Sequence, residues 1–221
     1  MKTTYLNKKI LLVTFCLAWN CIMFAQESRA EQLNTVTFSS FEDWCENKDT
    51  LNEETKHTVE MLLLKAKTSD CKFASKKLST YKSLRLDKRG ISNLLPLSSL
   101  KNLTQLNIND NKIADIKPLE SLTKLTELSI SDNLISDLSP LKIMKGLNFL
   151  AAKRNQISDV TPLQNLTKLE RLFLDRNKIT DVMPLRALIN LETASFRENP
   201  IINKTCPVTA NTAIRLATCI F

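Results

Sequence analysis

The chain has 221 residues, of which 43% are hydrophobic and 24% are charged, a composition typical of an ordinary folded domain. It contains only two glycines, Gly90 and Gly146, and a single histidine, His57. Phosphate loops and dinucleotide-binding turns need closely spaced glycines, and histidine-based metal or nucleophile sites are hard to assemble from one histidine. The composition therefore argues against most common enzymes and predicts a protein that has no catalytic centre, metal or cofactor.

The N-terminal segment, residues 1–30, has the pattern of a cleavable export signal. A basic start with three lysines precedes an apolar run over residues 10–25 and a stretch that contains small residues. The run includes Asn20 and is shorter than the roughly 20 apolar residues that a bilayer span needs, so export is favoured over a membrane anchor. Cleavage is expected after Ala25 or Ala30.

The formal net charge of +8 becomes smaller when this segment is removed. Cleavage after Ala30 leaves 27 basic and 22 acidic residues, a net charge near +5. Such a mild excess does not by itself indicate nucleic-acid binding. The mature protein is therefore expected to be secreted or periplasmic, with no membrane span and no nucleic-acid partner.

A repeat of 22 residues begins at Leu84 and continues to residue 201. The consensus of the copies is a leucine-x-leucine pair, then an asparagine, then an isoleucine, and then, in the first five copies, a proline-leucine pair. The first leucine position holds Leu84, Leu106, Leu128, Leu150, Leu172 and Ala194, and the asparagine position holds Arg89, Asn111, Asn133, Asn155, Asn177 and Asn199. This spacing predicts six copies of one supersecondary unit.

Each recurring position has a physical role. The leucine-x-leucine pair alternates as a short strand does when one face is buried, and stacked copies form a parallel sheet. The asparagine amide both donates and accepts, so a column of asparagines satisfies backbone groups in successive bends. The aspartates are expected to cap the short helical return segments that the prolines begin; they are Asp115, Asp137, Asp159 and Asp181. Six stacked repeats then share one continuous core, which predicts an α/β solenoid.

Residues 84–201 resemble the 22-residue leucine-rich repeats of the internalin-type bacterial surface proteins. The segment from Leu106 to Leu119, LNINDNKIADIKPL, is close to that family's consensus. The resemblance covers a little over half of the chain. It implies a leucine-rich-repeat horseshoe with a concave parallel β-sheet and short helical or 3-10 segments on the convex side. It also implies that the concave sheet binds a protein ligand.

The two ends of the solenoid need caps, because terminal repeats expose apolar core. Residues 31–83 are predicted to form a helical N-terminal cap. Its first long helix is expected to begin at a capping box of Thr50 and Glu53, and a second helix is expected after Asp70. Residues 202–221 are predicted to form a C-terminal cap that is closed by a disulfide.

Four cysteines remain after signal cleavage: Cys45 and Cys71 in the first cap, and Cys206 and Cys219 in the second. Six turns spaced about 4.8 Å apart separate the caps by about 25 Å, whereas the Cα atoms of bridged cysteines lie within about 7 Å. The same separation excludes a shared zinc site. The prediction is a Cys45–Cys71 and a Cys206–Cys219 disulfide in an oxidising compartment, with free thiols as the alternative.

The positions beside the strand leucines point outward from the concave sheet. The first half of this face is small, polar and somewhat acidic. The second half carries two aromatic and five basic residues as candidate partner-binding residues: Phe149, Phe173, Lys153, Arg154, Arg171, Arg176 and Arg197. Exposed aromatics among arginines are typical of interaction hot spots. The alternative is that Phe149 and Phe173 only cover each other as a stabilising cross-strand pair.

The sequence thus predicts an exported, monomeric module that recognises a protein ligand on its concave face and is not an enzyme. The main alternative is a glycan- or polyanion-binding envelope protein that uses the basic side of the same face. Single-stranded nucleic acid is disfavoured, because an exported chain seldom meets it.

Overall fold

The computed structural model describes residues 38–207 and 218–221, so the predicted export signal lies outside the described residues. Within these ranges, seven short strands form one parallel sheet in the order β1 to β7. They comprise Ser83–Arg85, Gln105–Asn107, Glu127–Ser129, Phe149–Ala151, Arg171–Phe173, Thr193–Ser195 and Thr218–Ile220. Equivalent residues of successive repeats are paired, as Leu84 is with Leu106. The predicted leucine-rich-repeat horseshoe is confirmed.

The return segments of the repeats contain 3-10 turns, at Leu95–Ser99, Lys117–Ser121, Ser139–Ile143, Thr161–Leu163 and Met183–Ala187. In the first five repeats the proline lies in the first turn of this segment. The predicted aspartates do bind the start of these segments, since Asp115 Oδ1 accepts the N–H of Lys117 at 2.7 Å and the other three make equivalent bonds, although the N-cap position itself is the residue after each aspartate. In the first repeat Asn93 has this role, accepting from Leu95.

One continuous hydrophobic core lies between the strands and the return segments. In the second repeat, for example, Leu106, Ile113 and Leu119 are all buried. The neighbouring repeats bury the equivalent side chains, so each repeat covers the apolar face of the next.

Three helices form the N-terminal cap: α1, Phe41–Glu46; α2, Glu53–Ala66; and α3, Cys71–Ser79. The cap is joined to the first repeat by hydrogen bonds as well as by packing. The Thr58 hydroxyl donates to the Asn93 carbonyl at 2.7 Å, and Nε2 of His57 lies 2.6 Å from the Arg89 carbonyl oxygen.

The predicted capping box at Thr50 and Glu53 is wrong. Asn52 directly precedes α2 in an extended conformation, and its side chain accepts the N–H of Thr55 at 2.9 Å. Thr50 lies too far ahead of the helix and ends a separate 3-10 turn, Lys48–Thr50. The predicted helix after Asp70 is confirmed, with Asp70 as its N-cap residue.

Both predicted disulfides are present. Cys45–Cys71 joins α1 to α3 with a Cα–Cα distance of 5.5 Å, and Cys206–Cys219 joins the segment after the last repeat to β7 with a distance of 5.6 Å.

Strand β7 was not predicted. It pairs with β6, with Cys219 opposite Ala194, and so adds a seventh strand to the sheet. In the described part of the chain, no helix is both long and apolar enough to cross a membrane.

Each repeat places one non-glycine residue in the left-handed region immediately before its bend. The φ angles lie between 50° and 57° at Lys88, Asp110, Asp132, Arg154, Arg176 and Glu198. This conformation costs an L-residue about 1–2 kcal/mol. The sequence offers no glycine at these positions, so the surrounding hydrogen bonds must hold the backbone there.

Replacing Lys88 by glycine is therefore expected to raise the free energy of unfolding by about 0.5–1 kcal/mol, because glycine relieves the left-handed strain at some cost in unfolded-chain entropy. Lys112→Gly is the matched control. Lys112 is also exposed but has no positive φ, so glycine there is expected to destabilise the protein. Urea unfolding measures both changes, and a loss of stability in Lys88→Gly would contradict the prediction.

Candidate functional site

The concave face is held in place by the predicted asparagine column. Asn133 Oδ1 accepts the N–H of Ile113 at 3.1 Å, and its Nδ2 donates to the carbonyls of Ile108 and Ile130, each at 3.1 Å. The same pattern recurs at Asn155 and Asn177. Every amide therefore links two neighbouring repeats, which confirms the role predicted for this position.

A second ladder, which the sequence analysis missed, lies on the face itself. Asn109 Oδ1 accepts the N–H of Ser131 at 2.7 Å, and Ser131 Oγ accepts the N–H of Lys153 at 3.1 Å. The lysine side chain has no hydrogen-bond acceptor, so it cannot accept an N–H from the next repeat and the ladder is interrupted there. Instead, Lys153 Nζ lies 2.8 Å from a carboxylate oxygen of Asp175 in the next repeat.

Asp175 is the most buried charged group of the face, with 9% of its surface exposed. Its carboxylate accepts bonds from Lys153, from the Ser195 hydroxyl and from the N–H of Arg197. Burial acts to raise the pKa of Asp175, but these bonds and the lysine charge outweigh it and keep the pKa below its ordinary value.

Asp175→Asn is expected to lower the free energy of unfolding by about 2 kcal/mol at neutral pH, because a charge-assisted hydrogen-bond network is lost. The folded-state pKa is lowered, so this contribution is present above the ordinary aspartate pKa near 3.8 and is lost as the pH falls through the folded-state value. Urea unfolding of both proteins between neutral and acidic pH checks this. A difference that stays constant down to the most acidic conditions would contradict it.

The two predicted aromatic residues meet on adjacent strands. The ring centroids of Phe149 and Phe173 lie 5.8 Å apart at an interplanar angle of 54°. The Arg171 guanidinium lies 4.7 Å from the Phe149 centroid, and Lys153 Nζ lies 4.8 Å from the Phe173 centroid. Both rings are half-buried. The cross-strand contact therefore exists, and the binding role of the pair stays a prediction.

The five predicted cations do not share one environment. Three of them are ion-paired with carboxylates of neighbouring repeats: Lys153 with Asp175, Arg154 with Asp132, and Arg176 with Glu198. Arg171 and Arg197 are exposed, and neither forms an ion pair with any residue that the structure describes. Two of the five thus keep a free charge for a ligand.

Charge divides the face along the solenoid. At the four outward positions of each repeat, which are 83, 85, 87 and 88 in the first, the repeats of β1–β3 carry two basic residues, Arg85 and Lys88, and four acidic residues, Asp87, Asp110, Glu127 and Asp132. The corresponding positions of β4–β6 carry the five predicted cations but only two carboxylates, Asp175 and Glu198. An acidic ligand is therefore attracted to the second half and repelled by the first.

The described ranges contain no group of three or more histidine, cysteine, aspartate or glutamate side chains placed to hold a metal. An open cleft of about 730 Å³ along α2 is lined by Met61, Leu63 and Leu64, and a smaller one of about 390 Å³ adjoins Thr161 and Asp181. Neither cleft is lined by a histidine or a cysteine.

Comparison with known proteins assigns the repeats. A family model described as leucine-rich repeats in two copies matches residues 101–143. The structure of an internalin, InlF, from Listeria monocytogenes aligns with a TM-score of 0.54 and 26% identity, over 67% of this chain and 51% of that one. The chain therefore contains leucine-rich repeats and is similar to bacterial proteins of the internalin type.

A second solved structure, a leucine-rich-repeat protein from Leptospira interrogans, aligns with a TM-score of 0.54 and 27% identity, over 58% of this chain and 34% of that one. The chain spans about half the length of the Listeria protein and about a third of the Leptospira protein. Among curated proteins, no sequence matches it significantly. The internalin-like repeats identify a protein-interaction module in general, a class that is typically non-enzymatic.

Proposed function

We propose that this internalin-like chain is an exported module that binds a protein ligand on the concave face of β4–β6. The observation that carries the proposal is the half-buried pair of Phe149 and Phe173, with the Arg171 guanidinium 4.7 Å from the Phe149 centroid and the exposed Arg197 just after β6. Aromatic and arginine side chains dominate the binding energy of protein interfaces. The remaining predicted residues, Lys153, Arg154 and Arg176, orient this centre through their ion pairs.

The face is preorganised for binding. The asparagine column and the side-chain ladder fix the backbone beneath it, and the ion pairs of Lys153, Arg154 and Arg176 tie neighbouring repeats together. A rigid surface of this kind loses little conformational entropy when a ligand docks. Binding then requires no rearrangement of the repeats.

Export of the mature chain is the second part of the proposal. Disulfides persist in oxidising compartments, and each proposed cap contains one. We assign residues 1–30 to the signal, 31–83 and 202–221 to the caps, and 84–201 to the repeats. The mature module acts as a monomer and uses no cofactor.

The polyanion alternative is weaker than the protein-binding proposal. Three of the five cations are paired with carboxylates, so little free positive charge remains for a glycan or an envelope polymer. Binding that depends mainly on charge also weakens as salt is added, because the Debye length shortens from about 30 Å at 0.01 M to about 8 Å at 0.15 M ionic strength.

A pull-down with the mature protein, from Glu31 onward, tests the proposal. Envelope extract and culture medium serve as prey, each at low and at moderate salt. The test variant is Phe149→Asp/Phe173→Asp. The matched control is Ile143→Asp/Ile189→Asp, which changes two exposed apolar side chains in and beside the return segments.

A protein that is captured by the wild type and the control at both salt concentrations, but not by the phenylalanine variant, is the expected result. Circular dichroism must show equal folding of all three proteins. A protein captured equally by the phenylalanine variant would contradict the proposed site. Capture that disappears at moderate salt alone would support the polyanion alternative instead.

A further inference from the structure

We propose that the ligand presents an extended segment in which one apolar side chain lies between two carboxylates, with the spacing acid-x-apolar-x-acid. The apolar side chain packs on the Phe149–Phe173 pair, and the two carboxylates bind Arg171 and Arg197. This inference rests on the proposed function, because it specifies the ligand of the same face.

The anchor position is the outward face of Phe173. Its register partners on the two adjacent strands are Ala151 and Ser195, which have small side chains. Large residues at these positions would cover the phenylalanine ring from both sides. Lys153 Nζ lies 4.8 Å from the ring centroid and is held by Asp175, so the room for one apolar side chain of a ligand is beside the half-buried ring, next to this ammonium group.

Arg171 is arranged to receive a carboxylate. Its guanidinium lies over the Phe149 ring at 4.7 Å, which restricts its rotation and desolvates one face. The N–H groups at the edge of a stacked guanidinium stay available, and their planar fork matches a carboxylate in a bidentate arrangement. The stacked arginine is thus held in place before the ligand arrives.

Arg197 supplies the second charge on the other side of the anchor. Arg171 precedes Phe173 by two residues on β5, whereas Arg197 lies two residues beyond Ser195, which is the register partner of Phe173 and the last residue of β6. Four residues along a strand and one strand spacing of about 4.8 Å separate the two Cα atoms by about 14 Å. Two residues of an extended peptide that are four positions apart span about 13 Å.

The same separation disfavours a helical ligand, because about nine residues of a helix are needed to cover 14 Å.

The uneven charge of the face also determines over which strands the acidic residues of the ligand lie. Glu127 lies opposite Phe149 in the register of β3 and β4, so carboxylates of the ligand are repelled from that side of the anchor. The acidic residues of the ligand therefore lie over β5 and β6.

Selection from a displayed library of random linear peptides on the mature protein tests the inference. Enriched peptides are then synthesised, and fluorescence anisotropy measures their affinity for two variants. Arg171→Gln/Arg197→Gln tests the acidic ligand, and Phe149→Asp/Phe173→Asp tests the proposed binding face. Arg89→Gln/Arg186→Gln is the matched control, since both of its arginines are exposed and lie outside β4–β6.

The expected result is enrichment of the acid-x-apolar-x-acid spacing, with affinity reduced roughly tenfold for each arginine lost. The phenylalanine variant is expected to lose binding and the control to keep it. Peptides that need the phenylalanines but show no acidic bias, and bind the arginine variant normally, would overturn this inference while the proposed function stands. Peptides indifferent to the phenylalanine variant, or no enrichment at all, would overturn both.

Discussion

Replacing Asn155 by leucine is expected to lower the free energy of unfolding by about 4 kcal/mol, because several buried backbone groups lose their partner and each unsatisfied group costs about 1–3 kcal/mol. Asn155 is 8% exposed. Its Oδ1 accepts the N–H of Ile135, and its Nδ2 donates to the carbonyls of Ile130 and Ala152. A leucine of similar size fills the space but satisfies none of these groups.

Urea unfolding followed by circular dichroism measures this loss. Gln156→Leu is the matched control, because Gln156 is the exposed neighbour of Asn155 and its substitution is expected to change stability by no more than about 0.5 kcal/mol. Asn155→Asp keeps the acceptor but loses the donors, so it is also expected to be strongly destabilised. Equal stability of Asn155→Leu and the control would show that the asparagine column does not hold the repeats together.

Leu150→Ala is expected to be nearly as harmful, with a loss of about 3–4 kcal/mol, because a truncated core leucine loses its transfer free energy and leaves a cavity. Leu150 is fully buried in β4, between Leu128 and Leu172 of the adjacent strands. The stacked repeats leave the neighbouring side chains little freedom to fill the cavity.

The same urea measurement compares Leu150→Ala with Leu134→Ala. Leu134 is 51% exposed, so truncation there removes the same atoms without opening a core cavity, and a change of no more than about 0.5 kcal/mol is expected. A similar loss in both variants would mean that burial in the strand column does not determine the stability of the solenoid.

The repeats were predictable because each recurring residue has one local role that is repeated every 22 residues. The leucines of the strands, the asparagines of the bends and the aspartates before the 3-10 turns all occupy their expected positions. A single repeat of this kind would have been ambiguous. Repetition makes the register of the sheet follow from the spacing alone.

The caps were less predictable because they lack the repeat. Thr50 and Asn52 are both good N-cap residues within three positions of each other, and only the backbone conformation decides in favour of Asn52. Strand β7 carries Thr218, Cys219 and Ile220 instead of a leucine-x-leucine pair, so no pattern identified it. Its pairing depends on contact with β6.

The sequence indicates which residues occupy the outward positions of the candidate site. The residue types alone do not indicate which of these charges form ion pairs. Lys153 and Asp175, Arg154 and Asp132, and Arg176 and Glu198 are each 22 residues apart, so opposite charges at equivalent positions of adjacent repeats were a usable signal. The half-burial of Phe149 and Phe173 depends on side-chain conformations, which the repeat spacing does not specify.

Hydrogen exchange of the mature protein, with and without a captured ligand or an enriched peptide, tests most directly whether the concave face binds. The predicted result is slower exchange in the strands Phe149–Ala151, Arg171–Phe173 and Thr193–Ser195 and in the bends that follow them, with unchanged exchange in α2. Slower exchange confined to the cap helices or to the 3-10 turns, with these strands unaffected, would contradict binding on the concave face.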